Sequence, residues 1–198
     1  KTHYRKSLSE KFLIERLDLT NEISIDSLCN KIEKLDILIN NASFIKGGIE
    51  YRVENFADIV NVNLMGLMRI CHAMLPKLAI SNGNIVNVSS ANTRLALATS
   101  PAYSATKGGI NTLTKSMAAC WAQHNVRVNA VAPGWIAGRT LNVLKKDIEK
   151  FQHYKQRIPL KRLGKPEEVA NTIVFLASEK ASYISGSTIF VDGGYTIN

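Results

Sequence analysis

Tyr103 and Lys107 are the residues of this sequence whose types and spacing most directly suggest chemistry. They lie four positions apart at the start of a predicted helix, so the phenol and the ammonium project from the same helical face. A tyrosine ionises near pH 10 in water, and a neighbouring cation favours the charged form and lowers that value. Such a pair can act as a general acid and base at neutral pH. The ordinary alternative is a surface tyrosine and lysine at a helix start.

Ser90 lies 13 residues before Tyr103, at the end of a predicted strand. The intervening residues 91–102 can return the chain to the same edge of a sheet, so the Ser90 hydroxyl and the Tyr103 phenol could face one ligand atom. The neighbouring Ser89 should point the other way, because side chains alternate along a strand. The alternative role for Ser90 is that of a helix or turn cap.

Asn63 lies within a predicted apolar helix, where a buried amide must find hydrogen-bond partners. It could bind a water molecule and connect to Lys107. Taken alone, it is better explained as a satisfied core amide. A second amide-rich stretch, Asn40-Asn41-Ala42, ends an apolar strand, and its ordinary explanation is turn chemistry.

Alternating apolar runs and helical periods predict the scaffold that carries these residues. Predicted strands comprise residues 12–19, 35–39, 85–88, 126–131 and 187–191, and predicted helices comprise residues 24–34, 53–79, 101–123, 140–154 and 166–178. This alternation is typical of an α/β fold with a doubly wound, Rossmann-like parallel sheet that carries helices on both faces. Such sheets bind ligands beyond the carboxyl ends of their strands. The chemistry is therefore expected at residues 18–20, 40–43, 89–91 and 132–135.

Length and composition indicate one globular domain. The chain has 198 residues, of which 45% are hydrophobic and 21% are charged. No window approaches about 18 uncharged apolar residues and no basic-then-apolar leader opens the chain, so neither a transmembrane helix nor secretion is expected. The 3 cysteines are far apart and form no C-x-x-C motif, which favours thiols over a disulfide or a zinc site. We therefore predict a cytoplasmic protein without a bound metal.

The net charge of +9, from 25 basic and 16 acidic residues, allows two interpretations. One is binding to nucleic acid or to an anionic surface, and the other is an enzyme for anionic ligands with a solvated basic face. The charges are spread along the chain, and no zinc-finger or RNP-like aromatic motif accompanies them. We therefore expect neither a nucleic-acid partner nor a membrane partner.

Several motifs, taken in order, resemble the short-chain dehydrogenase/reductase family. The family's Asn-Asn-Ala-Gly signature appears as Asn40-Asn41-Ala42-Ser43, and its catalytic tetrad falls on Asn63, Ser90, Tyr103 and Lys107 with the family's spacings. Residues 129–136 match Asn-Ala-x-x-Pro-Gly-x-Ile, and residues 162–170, 175–178, 182–186 and 191–194 resemble the family's tail. The resemblance covers residue 12 to the C-terminus and indicates the single-domain branch, whose members have roughly 250 residues.

The resemblance implies an oxidoreductase that transfers a hydride between NAD or NADP and an alcohol or carbonyl substrate. Tyr103 would exchange a proton with the substrate oxygen, and Lys107 would lower the tyrosine pKa and hold the nicotinamide ribose. Ser90 would hydrogen-bond the same substrate oxygen, and Asn63 would hold a water molecule in the proton relay. Trp135 and residues 138–154 would form the substrate lid.

The resemblance also implies cofactor contacts and an assembly. Besides Tyr103 and Lys107, the implied contacts are Asp18 and Leu19 at the adenine, Asn41 and Ala42 near the adenosine ribose, and Pro133, Gly134 and Ile136 at the nicotinamide end. The long helix before Ser81 and the Tyr103 helix would build a homotetramer or a homodimer. The motifs do not distinguish NAD from NADP.

Three features depart from the family pattern. Ser43 replaces a glycine, and Gly138 stands where a threonine often contacts the cofactor, although Thr140 is two residues away. The family's opening strand, its G-x-x-x-G-x-G turn and the following helix, which bind the pyrophosphate, have no counterpart in this sequence. We therefore expect residues 12–19 to lack a strand partner, residues 35–39 to form an open apolar edge, and the physical protein to carry an N-terminal segment not represented here. A catalytically inactive family member that serves as an oligomerising or binding module is the alternative function.

Overall fold

The computed structural model describes residues 12–95, 97–138, 152 and 154–197. Its sheet has four parallel strands in the order β1-β2-β3-β4. The strands are β1 (Ile37–Asn40), β2 (Asn84–Val88), β3 (Arg127–Pro133) and β4 (Thr188–Val191). Leu38 is paired with Ile85, Ile85 with Val128, and Val131 with Ile189. All carboxyl ends therefore meet at one edge of the sheet, as the sequence predicts.

Helices connect and cover the strands, and five α-helices have both ends within the described residues. They are α1 (Glu22–Cys29), α2 (Val53–Val60), α3 (Leu67–Ser81), α4 (Pro101–Trp121) and α5 (Pro166–Ala177). A π-helical turn, Asn61–Gly66, joins α2 to α3 without a break, and 3₁₀ turns occupy Ala91–Thr93, Ala122–His124, Glu179–Ala181 and Tyr195–Ile197.

Alternating side chains of the central strands build a core on each face of the sheet. Ile85 and Val128 face a cluster formed with α1, α3 and α4. Val86 and Val131 face the opposite way and pack with Leu176 of α5. Helices on both faces of a parallel sheet make a doubly wound α/β fold, so the predicted fold class is confirmed.

The helical run Val53–Ser81 is long and apolar enough to cross a membrane by length and composition alone. In this fold Ile70, Met74 and Leu78 of the run are buried in the domain core. A core helix of a globular domain passes the same length and composition test, so the run is weak evidence for a membrane span.

The predicted strand at residues 12–19 is wrong. Residues 12–18 have no regular structure, and residues 19 and 20 form a turn. A strand requires backbone partners, and the sheet among the described residues ends at β1. Leu17 and Leu19 pack against the core instead, while Ile37 and Ile39 of β1 are 42% and 47% exposed. The open apolar edge expected at residues 35–39 is therefore observed.

The other predicted elements are found with shifted ends. The first predicted helix is shorter, and it begins at Glu22 because the Asn21 side chain accepts a hydrogen bond from the Ser24 amide and caps it. The long helix ends at Ser81, where Asn82 adopts a left-handed conformation. Most of the helix predicted at residues 140–154 lies outside the described residues.

Candidate active site

A cavity of about 900 Å³ opens at the carboxyl ends of β1, β2 and β3. Eight residues predicted as site residues line it: Asn41, Ser90, Tyr103, Lys107, Pro133, Gly134, Trp135 and Ile136. Asn41 follows β1 and Ser90 follows β2. Gly134, Trp135 and Ile136 follow β3, while Tyr103 and Lys107 come from the first turns of α4. The topology therefore brings together residues that are far apart in sequence, at the edge where doubly wound sheets bind ligands.

Ser90 and Tyr103 meet in this cavity. Ser90 has extended backbone angles, and its hydroxyl accepts a hydrogen bond from the Asn92 amide at 3.2 Å. The same side chain lies near enough to the Tyr103 phenol to lower its pKa. Ser89 is buried and its hydroxyl donates to the Lys107 carbonyl at 3.1 Å. Ser89 is thus engaged by the backbone of α4, whereas Ser90 lines the cavity together with Tyr103, and the catalytic role of Ser90 stays a prediction.

The pKa of Tyr103 is raised, chiefly because burial disfavours the phenolate. The nearby Ser90 side chain lowers this pKa, and the negative charge of Glu50 raises it further. The sequence-based expectation was a pKa lowered by Lys107. In this structure burial dominates and Lys107 is not among the groups that shift the Tyr103 pKa, so the protonated phenol is favoured at neutral pH.

Lys107 is a buried cation beside the phenol. Its side chain is 2% exposed, and its Nζ lies 5.5 Å from the centre of the Tyr103 ring and donates to the Val88 carbonyl at 2.7 Å. Burial lowers the pKa of Lys107 to about 8. Among the described residues no carboxylate is paired with it. Lys107 therefore places a positive charge next to Tyr103 and can give up a proton slightly above neutral pH.

Asn63 is hydrogen-bonded to the backbone of Phe44, a residue that lines the cavity. It is 1% exposed, and its side-chain oxygen accepts from the Phe44 amide at 2.9 Å while its nitrogen donates to the Phe44 carbonyl at 2.9 Å. A weaker contact of 3.5 Å joins the same nitrogen to Thr106. The amide is therefore satisfied by backbone groups and fastens the loop after β1, and its role in a proton relay stays a prediction.

The residues after β3 form the opposite wall. Gly134 donates its backbone amide to Val191 at 3.0 Å, and Ile136 pairs with Gly164 in an isolated β-bridge. The Trp135 ring lies 4.4 Å from that of Tyr154 and 6.1 Å from that of Tyr195. Gly138 is exposed, and the remainder of the predicted lid up to residue 151 lies outside the described residues.

Of the four residues predicted to contact the adenosine half of the cofactor, three line a cavity. Leu19, Asn41 and Ala42 line a second cavity of about 200 Å³, and Asn41 also borders the large one. Asp18 borders neither cavity, and its carboxylate accepts from the amide and the hydroxyl of Thr20 at 2.9 and 2.7 Å. These hydrogen bonds lower the pKa of Asp18, which stays exposed.

Four residues that the sequence analysis did not single out are also part of the site. Phe44, Lys46 and Tyr195 line the large cavity, and Glu50 is buried just behind it. Only Phe44 carried a signal, since it follows the Asn-Asn-Ala motif. The others are brought in by loop folding that no periodicity reveals.

The large cavity fits the nicotinamide riboside half of NAD(P). It offers a buried cation, a hydroxyl and a phenol on one wall, and the side-chain-free Gly134 on the other. The sequence offers no such motif for the pyrophosphate half, because none of the 12 glycines lies in a G-x-x-x-G-x-G turn.

Comparison with known proteins adds an independent line of evidence. A family described as enoyl-(acyl carrier protein) reductase matches residues 2–196. Glucose 1-dehydrogenase 2 of Bacillus subtilis is 37% identical over 180 residues, which are 87% of this chain and 69% of that protein.

Two solved structures are similar along most of the chain. The aldohexose dehydrogenase of Thermoplasma acidophilum superposes with a TM-score of 0.89 and 29% identity, covering 96% of this chain and 80% of that one. A gluconate 5-dehydrogenase from Burkholderia cenocepacia, solved with NADP and tartrate, has a TM-score of 0.85 and 30% identity, covering 92% of this chain and 75% of that one. The fold, the order of the motifs and these matches agree: the chain belongs to the short-chain dehydrogenase/reductase family and is an NAD(P)-dependent oxidoreductase.

Proposed function

We propose that Tyr103 is the general acid and base of an alcohol dehydrogenase or carbonyl reductase, assisted by Ser90, Lys107 and Asn63. The observation that carries the proposal is the convergence of three groups on one cavity wall. Ser90, Tyr103 and Lys107 line the same cavity, Ser90 lies near enough to the phenol to lower its pKa, and the Lys107 ammonium lies 5.5 Å from the centre of the phenol ring. This arrangement holds a proton at one place where it can be given to, or taken from, a substrate oxygen.

Each residue has a separate task in this scheme. In oxidation, the Tyr103 oxygen takes the proton of the substrate hydroxyl, and in reduction it returns a proton to the carbonyl oxygen. Ser90 holds that oxygen by a hydrogen bond, and Lys107 stabilises the phenolate through its charge. Asn63 connects the proton path to solvent through water. When bound, the nicotinamide accepts the hydride of the carbinol carbon in oxidation and supplies it in reduction.

The cofactor is proposed to contact the residues that border the two cavities. Pro133, Gly134 and Ile136 would meet the nicotinamide end together with Tyr103 and Lys107. Asn41 and Ala42 would lie near the adenosine ribose, and Asp18 and Leu19 near the adenine. Trp135 is proposed to contact the substrate, since it lines the same large cavity as Ser90.

We further propose a cytoplasmic homo-oligomer, a tetramer in the first instance. Exposed apolar side chains on the run Val53–Ser81, namely Phe56, Met65 and Ile80, support contact between copies of this chain. All 3 cysteines are free thiols, which supports a reducing compartment. Light scattering coupled to gel filtration tests the assembly, and a monomer across concentrations would contradict it.

The central test is Tyr103→Phe, with Tyr51→Phe as the matched control. Tyr51 is 72% exposed and lies outside the cavity. The rate at which NAD(P)H is formed with a panel of alcohols, or consumed with a panel of carbonyls, should fall by about 10²–10⁴-fold in Tyr103→Phe and stay unchanged in the control. Cofactor binding, followed by fluorescence, should be retained in both.

Unchanged turnover in Tyr103→Phe would refute the assigned acid and base. An unmodified protein that binds cofactor yet turns over no substrate of the panel would favour the inactive binding module instead.

A further inference from the structure

Glu50 is a carboxylate in the protein interior, where charged side chains are rarely found. It is 0% exposed, in the loop between β1 and α2. Buried carboxylates are usually paired with a cation, because removing a charge from water is costly. The nearest candidate in sequence, Lys46, turns away, since its Nζ binds Asn55 and Asp58 at 2.8 Å each. Something else must therefore stabilise the Glu50 charge.

Backbone amides surround the carboxylate instead. One oxygen, Oε1, accepts from the amides of Lys46 at 2.9 Å and Gly47 at 3.2 Å. The other, Oε2, accepts from the amide of Tyr103 at 3.0 Å. The two oxygens thus bridge two segments that are more than fifty residues apart in sequence.

The Tyr103 amide belongs to the first turn of α4, whose amides need acceptors from outside the helix. The residue before the helix, Ser100, makes no side-chain cap hydrogen bond. Glu50 takes over this task from another element, and its negative charge also interacts favourably with the positive end of the helix dipole.

The other segment held by Glu50 is the cavity wall. Phe44, Lys46 and Gly47 line the cavity, as Tyr103 does. Asn63 fastens Phe44 through two hydrogen bonds, and Glu50 fastens Lys46 and Gly47. A continuous set of hydrogen bonds therefore runs from the π turn, through this loop, to the backbone of Tyr103.

We propose that Glu50 is a positioning residue, whose carboxylate holds the first turn of α4, and with it Tyr103, against the loop 44–47 of the cavity wall. The proposal rests on the role of Tyr103 as acid and base. Glutamine cannot replace Glu50 here, because both carboxylate oxygens accept from N–H groups and an amide offers a single acceptor oxygen. The Glu50 charge also raises the pKa of Tyr103, against the effect of Ser90, with Lys107 as the neighbouring cation.

The experiment compares Glu50→Gln with Glu54→Gln and Tyr103→Phe in the full protein. Glu54 is an exposed carboxylate in the first turn of α2 and serves as the matched control. For Glu50→Gln we expect kcat to fall about 10–100-fold, since a small misplacement of a catalytic group has effects of this size, with the cofactor Kd changed less than about twofold. The pH at which kcat/KM for alcohol oxidation reaches half its plateau should move to lower pH, because a negative charge beside the phenol is gone.

A purely structural role would lower the amount of active protein without moving that midpoint. Glu50→Asp keeps the charge on a shorter side chain, so it should lose kcat per cofactor-binding site, with the midpoint in place, whereas a purely structural role would lower the number of such sites and leave kcat per site unchanged. It carries the test if Glu50→Gln does not fold. Wild-type kcat and midpoint in Glu50→Gln, or wild-type kcat in Glu50→Asp, would overturn the proposal. If Tyr103→Phe stays active, the proposed acid and base is wrong; if it is inactive while Glu50→Gln behaves as wild type, Glu50 alone is misassigned.

Discussion

Replacing Lys107 by methionine should change how the free energy of unfolding depends on pH. Burial lowers the pKa of Lys107 from 10.5 to about 8. Since one pKa unit corresponds to about 1.4 kcal/mol, holding the charge in the folded protein at pH 7 costs about 3 kcal/mol. Between about pH 8 and 10.5 the unfolded chain binds more protons at this site than the folded chain does. The free energy of unfolding of the wild type therefore rises with pH through this window as the cost disappears.

The methionine variant lacks the charge but leaves the Val88 carbonyl without the donor that lies 2.7 Å away. That loss is worth about 1–2 kcal/mol. At pH 7 Lys107→Met should therefore be more stable than wild type by about 1–2 kcal/mol, and by pH 9.5 the wild type should have recovered about 2 kcal/mol, so that the two are nearly equal. The variant gains this stability while losing catalysis, as expected when an active site holds an unfavourable charge.

Urea unfolding followed by tryptophan fluorescence measures both proteins at pH 7, 8, 9 and 9.5. Groups that titrate in both cancel in the difference, which isolates Lys107. Lys115→Met is the control, because Lys115 is exposed on the same helix, and its effect should stay within about 0.5 kcal/mol at every pH. A difference between wild type and Lys107→Met that does not change with pH would refute the reasoning.

Two further substitutions test the walls of the cavity. Asn63→Leu leaves the Phe44 amide and carbonyl without partners and should lower the free energy of unfolding by about 2–5 kcal/mol in urea titrations; a loss below about 1 kcal/mol would contradict the role of Asn63 as a fastener. Gly134→Ala places a methyl 2.8 Å from the Asp192 backbone, so we expect a loss of about 1–3 kcal/mol and weaker cofactor binding, measured by thermal melts and fluorescence titration. Gly108→Ala on α4, with open space around the new methyl, should instead stabilise the protein by about 0.5–1 kcal/mol, and equal behaviour of the two alanine variants would be evidence against the packing argument.

The part of the site that the sequence predicted correctly depends on local geometry. Tyr103 and Lys107 share a helical face because they are four residues apart, and Ser90 follows a strand whose alternation sets its direction. Both are properties of a single element. The predicted parallel sheet follows in the same way, since buried apolar strands separated by helices leave few other arrangements.

The parts that were missed depend on groups far away in sequence. Residues 12–19 have the apolar pattern of a strand, but a strand also needs a neighbour to pair with, and the motifs already predict that this neighbour is absent from the sequence. A glutamate in a glycine-containing loop is normally expected in solvent, and the burial of Glu50 requires amides from two separate segments. The partners of Asn63 lie 19 residues earlier in the chain and were likewise not predictable.

The π turn at Asn61–Gly66 shifts the phase of the longest helical run. A π turn takes up one residue more than an α turn, so the helix beyond it is rotated by about 100° relative to a continuous α-helix of the same sequence. Ile59 and Leu78, both 0% exposed, are 19 positions apart in sequence, and the extra residue brings them close to a whole number of turns, about five. A single unbroken period through Val53–Ser81 therefore misassigns one end of the run. The loss or gain of one residue within the π turn would rotate one half of the helix by about 100° and move part of its buried side into solvent, so the fold constrains the length of this turn.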